Sequence, residues 1–250
     1  VSPKISDIIL MGSERIHLFD TPLLVSRNMG LAVDQRAAKR VMDILISGIG
    51  IIITSPIMLI IATAVKAYDR GPVFYFQDRL TLGGKPFKIC KFRSMCVDSE
   101  KNGARLASKH DSRITPVGHV LRNLHLDELP QLFNVFKGDM SLVGPRPERE
   151  SIMLEYEKEL PEFYYRLKVK AGLTGYAQVY GKYNTTPYDK LKLDLFYIEN
   201  YSFLLDIKLI FMTVKIFFQK EVSEGVDDRQ VNALKDSGKN AGVSENKTEE

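Results

Sequence analysis

The chain has 250 residues, with 35 Lys and Arg against 31 Asp and Glu, 44% hydrophobic residues and 26% charged residues. This composition excludes a wholly disordered chain, a collagen-like repeat and a polytopic membrane protein, and predicts a largely soluble fold with one substantial core. Residues 221–250 hold eight acidic and four basic side chains, so residues 1–220 carry a net charge of +8. That excess favours an anionic partner such as a phosphorylated metabolite, a membrane surface or nucleic acid.

Three regions differ in composition. Residues 1–37 open on Val1 rather than Met, and we expect them to be the end of a longer N-terminal region. Residues 38–222 form the predicted folded domain, whereas residues 223–250 lack apolar periodicity and predict a disordered polar tail. The two cysteines have neither disulfide-framework nor zinc-ligand spacing, which favours a reducing, cytosol-facing location.

The first strong pattern is an uncharged apolar run from Ile44 to Val65, long enough to cross a bilayer. Pro56 follows Ser55 inside the run and lacks an amide proton, so we expect the helix to kink or break there. Cations precede and follow the run, which favours a re-entrant helix over about residues 41–66 that enters and leaves by one face. A plain membrane span and a buried core helix are the alternatives.

A β-hairpin is predicted next, because two β-rich runs flank Gly83 and Gly84. On its second strand Lys91 and Arg93 lie two residues apart and therefore share one face. That face is either a cationic wall for a phosphate group or an ordinary solvated strand face.

Helical patterning dominates from Val117 onward, with further helices predicted over residues 148–166 and 187–201. The segment 203–218 is apolar around most of its circumference, so it is either buried or lies in a membrane interface, and we favour the interface. The predicted fold class is therefore α+β and mainly helical, with a small hairpin, a membrane-associated helix and interfacial amphipathic helices.

The richest chemistry surrounds Asp127 and Glu128. With Pro130 in the first helical turn, Asp127 is predicted to cap a helix whose positive end keeps the carboxylate ionised and attracts phosphate. The two carboxylates can then share a divalent metal with a phosphoryl group, and Arg122 is near enough in sequence to reach the same anion. A purely structural cap is the alternative.

Two basic loops follow. Arg146 stands between prolines after a glycine, so a rigid loop presents its guanidinium, whose planar fork suits a diphosphate. A second glycine-rich basic loop runs over residues 168–182 and ends at Lys182. Each loop alone is compatible with a turn that carries a solvated charge. Together with the apolar run they predict a phosphate site beside a bilayer.

Six ordered motifs resemble the monotopic phosphoglycosyl transferases, the bacterial sugar transferase family that starts exopolysaccharide, O-antigen or glycoprotein glycan synthesis. The resemblance covers residues 38–218, and its motifs are KRVMD (39–43), SP (55–56), KFRSM (91–95), LDELPQL (126–132), GDMSLVGPRP (138–147) and GLTGYAQ (172–178).

The resemblance implies that Asp127 is the nucleophile and that Glu128 assists with metal and geometry. Asp127 attacks the β-phosphate of a UDP-sugar, UMP leaves, and polyprenyl phosphate resolves the aspartyl phosphosugar, with Mg²⁺ as cofactor. Arg122, Arg146, Lys91, Arg93 and Lys182 are the expected substrate ligands. The resemblance also implies a helix that turns at Ser55 and Pro56 and is fixed at its cytoplasmic end by Lys39, Arg40 and Asp43.

The implied location is the cytoplasmic face of the bacterial inner membrane, and downstream glycosyltransferases or a second copy of the chain are the possible protein partners. Tyr176 and Lys182 stand where the family usually has Trp and Arg. Direct single displacement, with Asp127 as metal ligand only, and a non-catalytic membrane scaffold are the open alternatives. Nucleic-acid binding is disfavoured because the cations lie in separate loops beside acidic residues.

Overall fold

The computed structural model describes residues 4, 5, 8, 13–18, 21–26, 30–97, 99, 111–181 and 185–217. The predicted tail over residues 223–250 and the candidate ligand Lys182 lie outside them. The described helices and strands are β1 (Ser13–Leu18), β2 (Thr21–Ser26), α1 (Val33–Asp69), β3 (Phe74–Leu80), β4 (Pro86–Phe92), α2 (Pro116–Asn123), α3 (Gln131–Lys137), β5 (Ser141–Val143), α4 (Glu150–Glu159), β6 (Gly172–Thr174), α5 (Tyr176–Tyr180), α6 (Pro187–Glu199) and α7 (Phe203–Phe217). This is the mainly helical α+β fold that the sequence predicts.

The long helix α1 contains the apolar run. Its 37 residues span roughly 55 Å, more than the hydrocarbon core of a bilayer. Among the described residues it is the one helix that is long and apolar enough to cross a membrane, by length and composition alone. Only 17% of its most apolar window is buried against the protein, so α1 is not the buried core helix that we kept as an alternative.

At Pro56 the structure differs from the expected break, because a single helix continues through the proline. Pro56 has no amide proton to donate to the carbonyl of Ile52, four residues earlier. The hydroxyl of Ser55 donates to that carbonyl instead, at 2.8 Å. The serine thus satisfies the acceptor that the proline releases, and the helical backbone is kept.

The N-terminal part of α1 is fixed to the rest of the protein by the three residues that the family resemblance selects. Lys39 Nζ lies 2.5 Å from Asp206 Oδ2. The Arg40 guanidinium donates to the carbonyls of residues 135 and 136 at 2.8 Å each, where α3 ends. Asp43 Oδ1 accepts from the hydroxyl of Ser141 at 3.1 Å and from the amide of Leu142 at 2.9 Å. Each charge therefore has a partner in the folded domain.

The C-terminal part of α1 contacts the same folded domain. Three apolar side chains of α1 pack in one cluster with Phe92 at the end of β4 and Leu121 of α2; they are Met58, Ile61 and Val65. The helix ends beside Arg93, which forms an ion pair with Asp69. The exposed apolar side chains of α1 lie between and around these contacts, among them Ile49, Ile52, Ile53, Leu59 and Ile60.

The predicted hairpin is confirmed, since β3 and β4 pair antiparallel with Phe74 opposite Phe92 and Leu80 opposite Pro86. Gly83 and Gly84 both adopt positive φ angles, 68° and 74°, which a glycine reaches without steric cost. Two further pairs are antiparallel β1–β2 and parallel β5–β6. The main core cluster surrounds β5, where Val143 is fully buried, and it includes Phe163, Leu195 and Leu209.

The structure corrects the helix predicted over residues 148–166 and refines the prediction for the segment 203–218. The helix predicted over residues 148–166 ends at Glu159, and a 3₁₀ segment runs over Pro161–Lys168 instead, because a proline interrupts the helical hydrogen-bond pattern. Helix α7 buries Asp206 and Leu209 completely. Its opposite side exposes apolar residues to the exterior, namely Phe203, Leu204, Phe211 and Val214.

Candidate active site

A tight turn between α2 and α3 places Asp127. The turn begins at His125, whose φ of 51° is left-handed, and continues as a 3₁₀ turn over Leu126–Glu128. Helix α3 then starts at Gln131, with Pro130 in the cap position. The prediction that Asp127 caps this helix is therefore wrong, because the 3₁₀ turn moves the helix start beyond it.

Glu128 holds two of the predicted substrate cations. Its Oε1 lies 2.7 Å from Lys91 Nζ and 3.0 Å from Arg146 Nη2. Burial alone would raise the pKa of Glu128, but Arg146 and Lys91 hold that pKa far below its usual range. Glu128 in turn raises the pKa of Arg146. The three side chains therefore form one ionised cluster, which joins β4, the 3₁₀ turn and the loop that carries Arg146.

Asp127 has the opposite environment. It is 9% exposed, and no hydrogen-bond donor or cation pairs with its carboxylate within the described part of the chain. Burial and the neighbouring Glu128 raise its pKa, while Lys91 and Arg122 oppose that rise. A helix dipole was expected to favour the ionised form, but Asp127 does not lie at the end of a helix. Two adjacent carboxylates thus have pKa values that move apart, which is typical of sites where the two groups have different roles.

The two residues of the predicted cationic wall, Lys91 and Arg93, contact different carboxylates. Lys91 contacts Glu128, whereas the buried guanidinium of Arg93 donates to Asp69, with Nη1 at 2.7 Å from Oδ2. Arg93 therefore lies in an ion pair at the end of α1 rather than in the Glu128 cluster. Arg122, as expected, is close enough to Asp127 to affect its pKa, and its Nε donates to Ser94 Oγ at 3.0 Å.

A second charged cluster, which we call the support cluster, forms hydrogen bonds with the backbone of the loop that carries Arg146. Arg166 Nη2 donates to the carbonyl of Arg146 at 3.0 Å and lies 2.8 Å from Asp194 Oδ2. Arg79 Nη1 donates to the carbonyl of Pro147 at 3.1 Å. The cluster is completed by Glu148 and Lys190, which form an ion pair. Sequence reasoning missed these residues because the partners are far apart in the chain and no local motif connects them.

The charge state of the support cluster follows from its pairing. Burial alone would raise the pKa of Glu148, but Lys190 and Arg166 hold it at about 2. The carboxylate is therefore ionised at neutral pH and balances the buried cations. This arrangement fixes two successive carbonyls of the Pro145–Pro147 loop and, with them, the position from which Arg146 extends.

The expected Mg²⁺ needs oxygen ligands, and the site offers the carboxylates of Asp127 and Glu128. The described residues contain no group of three or more metal-ligating side chains. Mg²⁺ is commonly held by one or two carboxylates, with substrate phosphates and water supplying the remaining oxygens. Asp127 and Glu128 supply two adjacent carboxylates, so the residues fit an ion that arrives together with a phosphorylated substrate.

The fold and the site define a protein with a long exposed apolar helix and a buried carboxylate flanked by cations, a setting suited to phosphoryl groups. Residues 34–220 match the family described as bacterial sugar transferase. The chain belongs to this family.

Curated relatives agree with this assignment. The chain is 46% identical over 180 residues to the UDP-N-acetylgalactosamine-undecaprenyl-phosphate N-acetylgalactosaminephosphotransferase of Aeromonas hydrophila, covering 71% of this chain and 43% of that protein. It is 44% identical over 204 residues to the UDP-glucose:undecaprenyl-phosphate glucose-1-phosphate transferase of Klebsiella pneumoniae, covering 80% and 42%. A protein of the same name from Escherichia coli is 40% identical, again covering 80% and 42%. The chain spans less than half the length of these three relatives.

Proposed function

We propose that the protein transfers a sugar 1-phosphate from a UDP-sugar to polyprenyl phosphate, specifically undecaprenyl phosphate, and releases UMP. The observation that carries this proposal is the contrast at the turn: Asp127 is buried and has no partner among the described residues, while adjacent Glu128 is held ionised by Lys91 and Arg146. The relatives are named as transferases that use UDP-sugars and undecaprenyl phosphate, which supports the donor and acceptor classes. Their names include two different sugars, so a panel of UDP-sugars is the appropriate test of the donor.

In the first step, a carboxylate oxygen of Asp127 attacks the β-phosphorus, which carries the sugar. A bond forms from Asp127 to phosphorus, and the bond from phosphorus to the bridging oxygen breaks, so that oxygen leaves with UMP. In the second step, a phosphate oxygen of polyprenyl phosphate attacks the same phosphorus and Asp127 is released as a carboxylate. The unpaired state of Asp127 supports this role, because no donor must be displaced before it attacks.

Arg146, Lys91 and Arg122 offset the negative charge of the diphosphate. Glu128 holds the first two in place, so little reorganisation is needed when the anion arrives. Bound Mg²⁺ would neutralise phosphate charge and favour the departure of UMP. Asp127 and Glu128 are the residues that would hold it.

We further propose that α1 is re-entrant and that the site faces the cytoplasm at the inner membrane. The residues from Lys39 to Asp43 and those from Met58 to Asp69 contact one folded domain. A plain span would separate the two ends of the apolar run by the roughly 30 Å of the hydrocarbon core. Contacts from both ends to one domain therefore favour a helix that bends at Pro56, without losing its helical backbone, and that enters and leaves by the same face.

Rapid-quench labelling tests the covalent step. Wild-type protein, Asp127→Asn and the matched control Asp78→Asn, an exposed aspartate on β3, are mixed in lipid nanodiscs with Mg²⁺ and a panel of UDP-hexoses and UDP-N-acetylhexosamines labelled in the β-phosphate. We expect wild type and control to release UMP and become labelled without polyprenyl phosphate, and Asp127→Asn to do neither.

Other outcomes separate the alternatives. UMP release that requires polyprenyl phosphate and never labels the protein would support direct single displacement. Binding of a UDP-sugar without UMP release under any condition would support a scaffold, and either result contradicts the covalent mechanism.

A further inference from the structure

The segment that follows β4 connects the end of the apolar helix to the active-site turn. Arg93 forms its ion pair with Asp69, the last residue of α1. Gly71 lies directly against this guanidinium, since a Cβ atom at that position would be 2.6 Å from Arg93 Nη1. The close approach shows that Arg93 is enclosed by the end of the helix and by the loop after it. The position of Arg93 thus depends on the helix.

Ser94, the next residue, is 7% exposed and contacts α2 through both its backbone and its side chain. Its carbonyl accepts from the amide of Thr115 at 3.0 Å, and its hydroxyl accepts from Arg122 Nε at 3.0 Å. Gly118 permits this contact, because a Cβ atom there would be only 1.9 Å from the Ser94 carbonyl oxygen. Helix α2 therefore packs with its backbone against Ser94, and Arg122 lies one helical turn further on.

Arg122 lies at the other side of the turn that carries Asp127. The amide of His125 donates to the Arg122 carbonyl at 3.0 Å, which closes the turn. Arg122 is in the last turn of α2, and Asp127 follows in the 3₁₀ turn five positions later. An arginine side chain has several rotatable bonds, so a hydrogen bond at Nε restricts the direction of its guanidinium fork before any anion binds.

We propose that Ser94 is a positioning residue, which orients Arg122 toward the phosphoryl group at Asp127 and is itself held in register by the Arg93–Asp69 ion pair at the end of α1. This inference rests on the proposed function. It assigns to Arg93 and Ser94 a role in linking the membrane helix to the reacting centre, in place of the direct phosphate contact expected for Arg93. Restricting a cation in advance lowers the reorganisation needed in the transition state, so the effect is expected in kcat more than in KM.

A double-mutant cycle tests the link. UMP release and sugar-phosphate transfer to polyprenyl phosphate are measured for wild type, Ser94→Ala, Arg122→Lys and the double variant, with the UDP-sugar that wild type turns over best. Ser94→Ala is expected to lower kcat about tenfold and to change KM by less than about twofold. A lysine has no Nε donor of this geometry, so in the Arg122→Lys background Ser94→Ala is expected to change kcat by less than about twofold.

A second variant tests the connection to α1. Asp69→Asn weakens the pair with Arg93, and we expect a decrease in kcat of about threefold that is absent in the Ser94→Ala background. Thr213→Ala is the matched control, because it also removes a part-buried hydroxyl, whose partners are the Leu209 carbonyl and Thr174. It is expected to keep the wild-type kcat, and thermal unfolding is followed for every variant.

Three results would contradict the positioning role of Ser94. Multiplicative effects of Ser94→Ala and Arg122→Lys on kcat, or a Ser94→Ala variant with wild-type kcat, would overturn the positioning role. A loss of kcat that follows a lowered unfolding temperature equally in both backgrounds would also overturn it. Failure of the proposed function has a different signature, because wild-type protein would then never become labelled from the UDP-sugar in the rapid-quench assay, whatever the cycle shows.

Discussion

The active-site turn (residues 125–128) and the N-terminal part of α1 around Lys39, which we call the base of α1, both bury charged side chains. The two regions differ in how completely these side chains are paired. At the base, Lys39 Nζ contacts Asp206 and the hydroxyl of Tyr197, and Tyr197 donates to the other oxygen of Asp206 at 2.8 Å. At the turn, Glu128 is paired in the same way, whereas Asp127 beside it has no partner within the part of the chain that the structure describes. One region satisfies its buried charges completely, and the other leaves one carboxylate available.

This difference separates structural from reactive buried charge. A buried ion needs a partner because removal from water is costly, so a fully paired cluster stabilises one arrangement of the chain. A buried carboxylate without a partner destabilises the fold, and its retention indicates a use in binding or chemistry. Substitutions in the two regions should therefore have opposite effects on stability and on activity.

Activity should respond most strongly to a substitution at the turn. Asp127→Asn should lower sugar-phosphate transfer by at least about 10⁴-fold, because the nucleophile is lost. The midpoint of thermal unfolding should stay equal or rise, since the change removes an unpaired buried charge without altering side-chain size. Transfer assays and thermal unfolding of the same preparation check both parts. If the variant lost activity only because it unfolds, Asp127 would behave like the structural charges at the base of α1, and the prediction would be wrong.

At the base of α1 the effect should be on stability. Lys39→Met leaves Asp206 buried without its cation and should lower the free energy of unfolding by about 3–5 kcal/mol. Lys39→Met combined with Asp206→Leu should recover most of that loss, because both charges are removed together. Lys137→Met serves as the control, since its exposed pair with Asp139 should contribute less than about 1 kcal/mol. If the single and double variants unfold alike, the pair is not what holds this region.

The support cluster predicts a pH dependence. The pKa of Glu148 is about 2 in the folded protein against an ordinary 4.5, so its contribution is complete above pH 4.5 and is lost as the pH falls toward 2. The shift corresponds to about 3 kcal/mol at neutral pH. Glu148→Gln should be less stable than wild type by that order at pH 7 and equal to it near pH 2. Denaturant unfolding across this range measures the difference, and a constant difference at all pH values would exclude the ionised pair as its cause.

The smallest effect concerns two residues with left-handed backbone, Arg70 after α1 and His125 in the turn. Glycine removes the steric cost of this conformation, so Arg70→Gly should raise the free energy of unfolding by up to about 1 kcal/mol and leave transfer unchanged. His125→Gly should relieve a similar cost but lower transfer severalfold, because a looser turn holds Asp127 less well. Equal transfer rates for both variants would mean that the turn needs no rigidity.

Much of the site could be read from local motifs. Glu128 is selected by its place beside Asp127 ahead of Pro130, and Arg146 by the prolines around it. The structure brings both together with Lys91. The hairpin is predicted from Gly83 and Gly84, whose backbone conformations are local properties. Lys39, Arg40 and Asp43 were selected through the family resemblance, and all three contact the folded domain.

Other features of the site did not follow from the local motifs. Arg93 was expected to bind phosphate, and the structure pairs it with Asp69, which lies at the end of a helix 24 positions earlier. Asp127 was assigned to a helix cap, but the left-handed His125 and the following 3₁₀ turn delay the helix until Gln131. The support cluster of Arg166 and Asp194 gave no local signal at all.

The apolar helix, the hairpin, the motif residues and the family could be predicted from the chain, because periodicity, turn chemistry and short motifs depend on neighbouring residues. Folding establishes which cation faces which carboxylate, and it leaves Asp127 without a partner among the described residues. A charge acts through space and through its burial, and both depend on segments that are distant in sequence and meet only after folding.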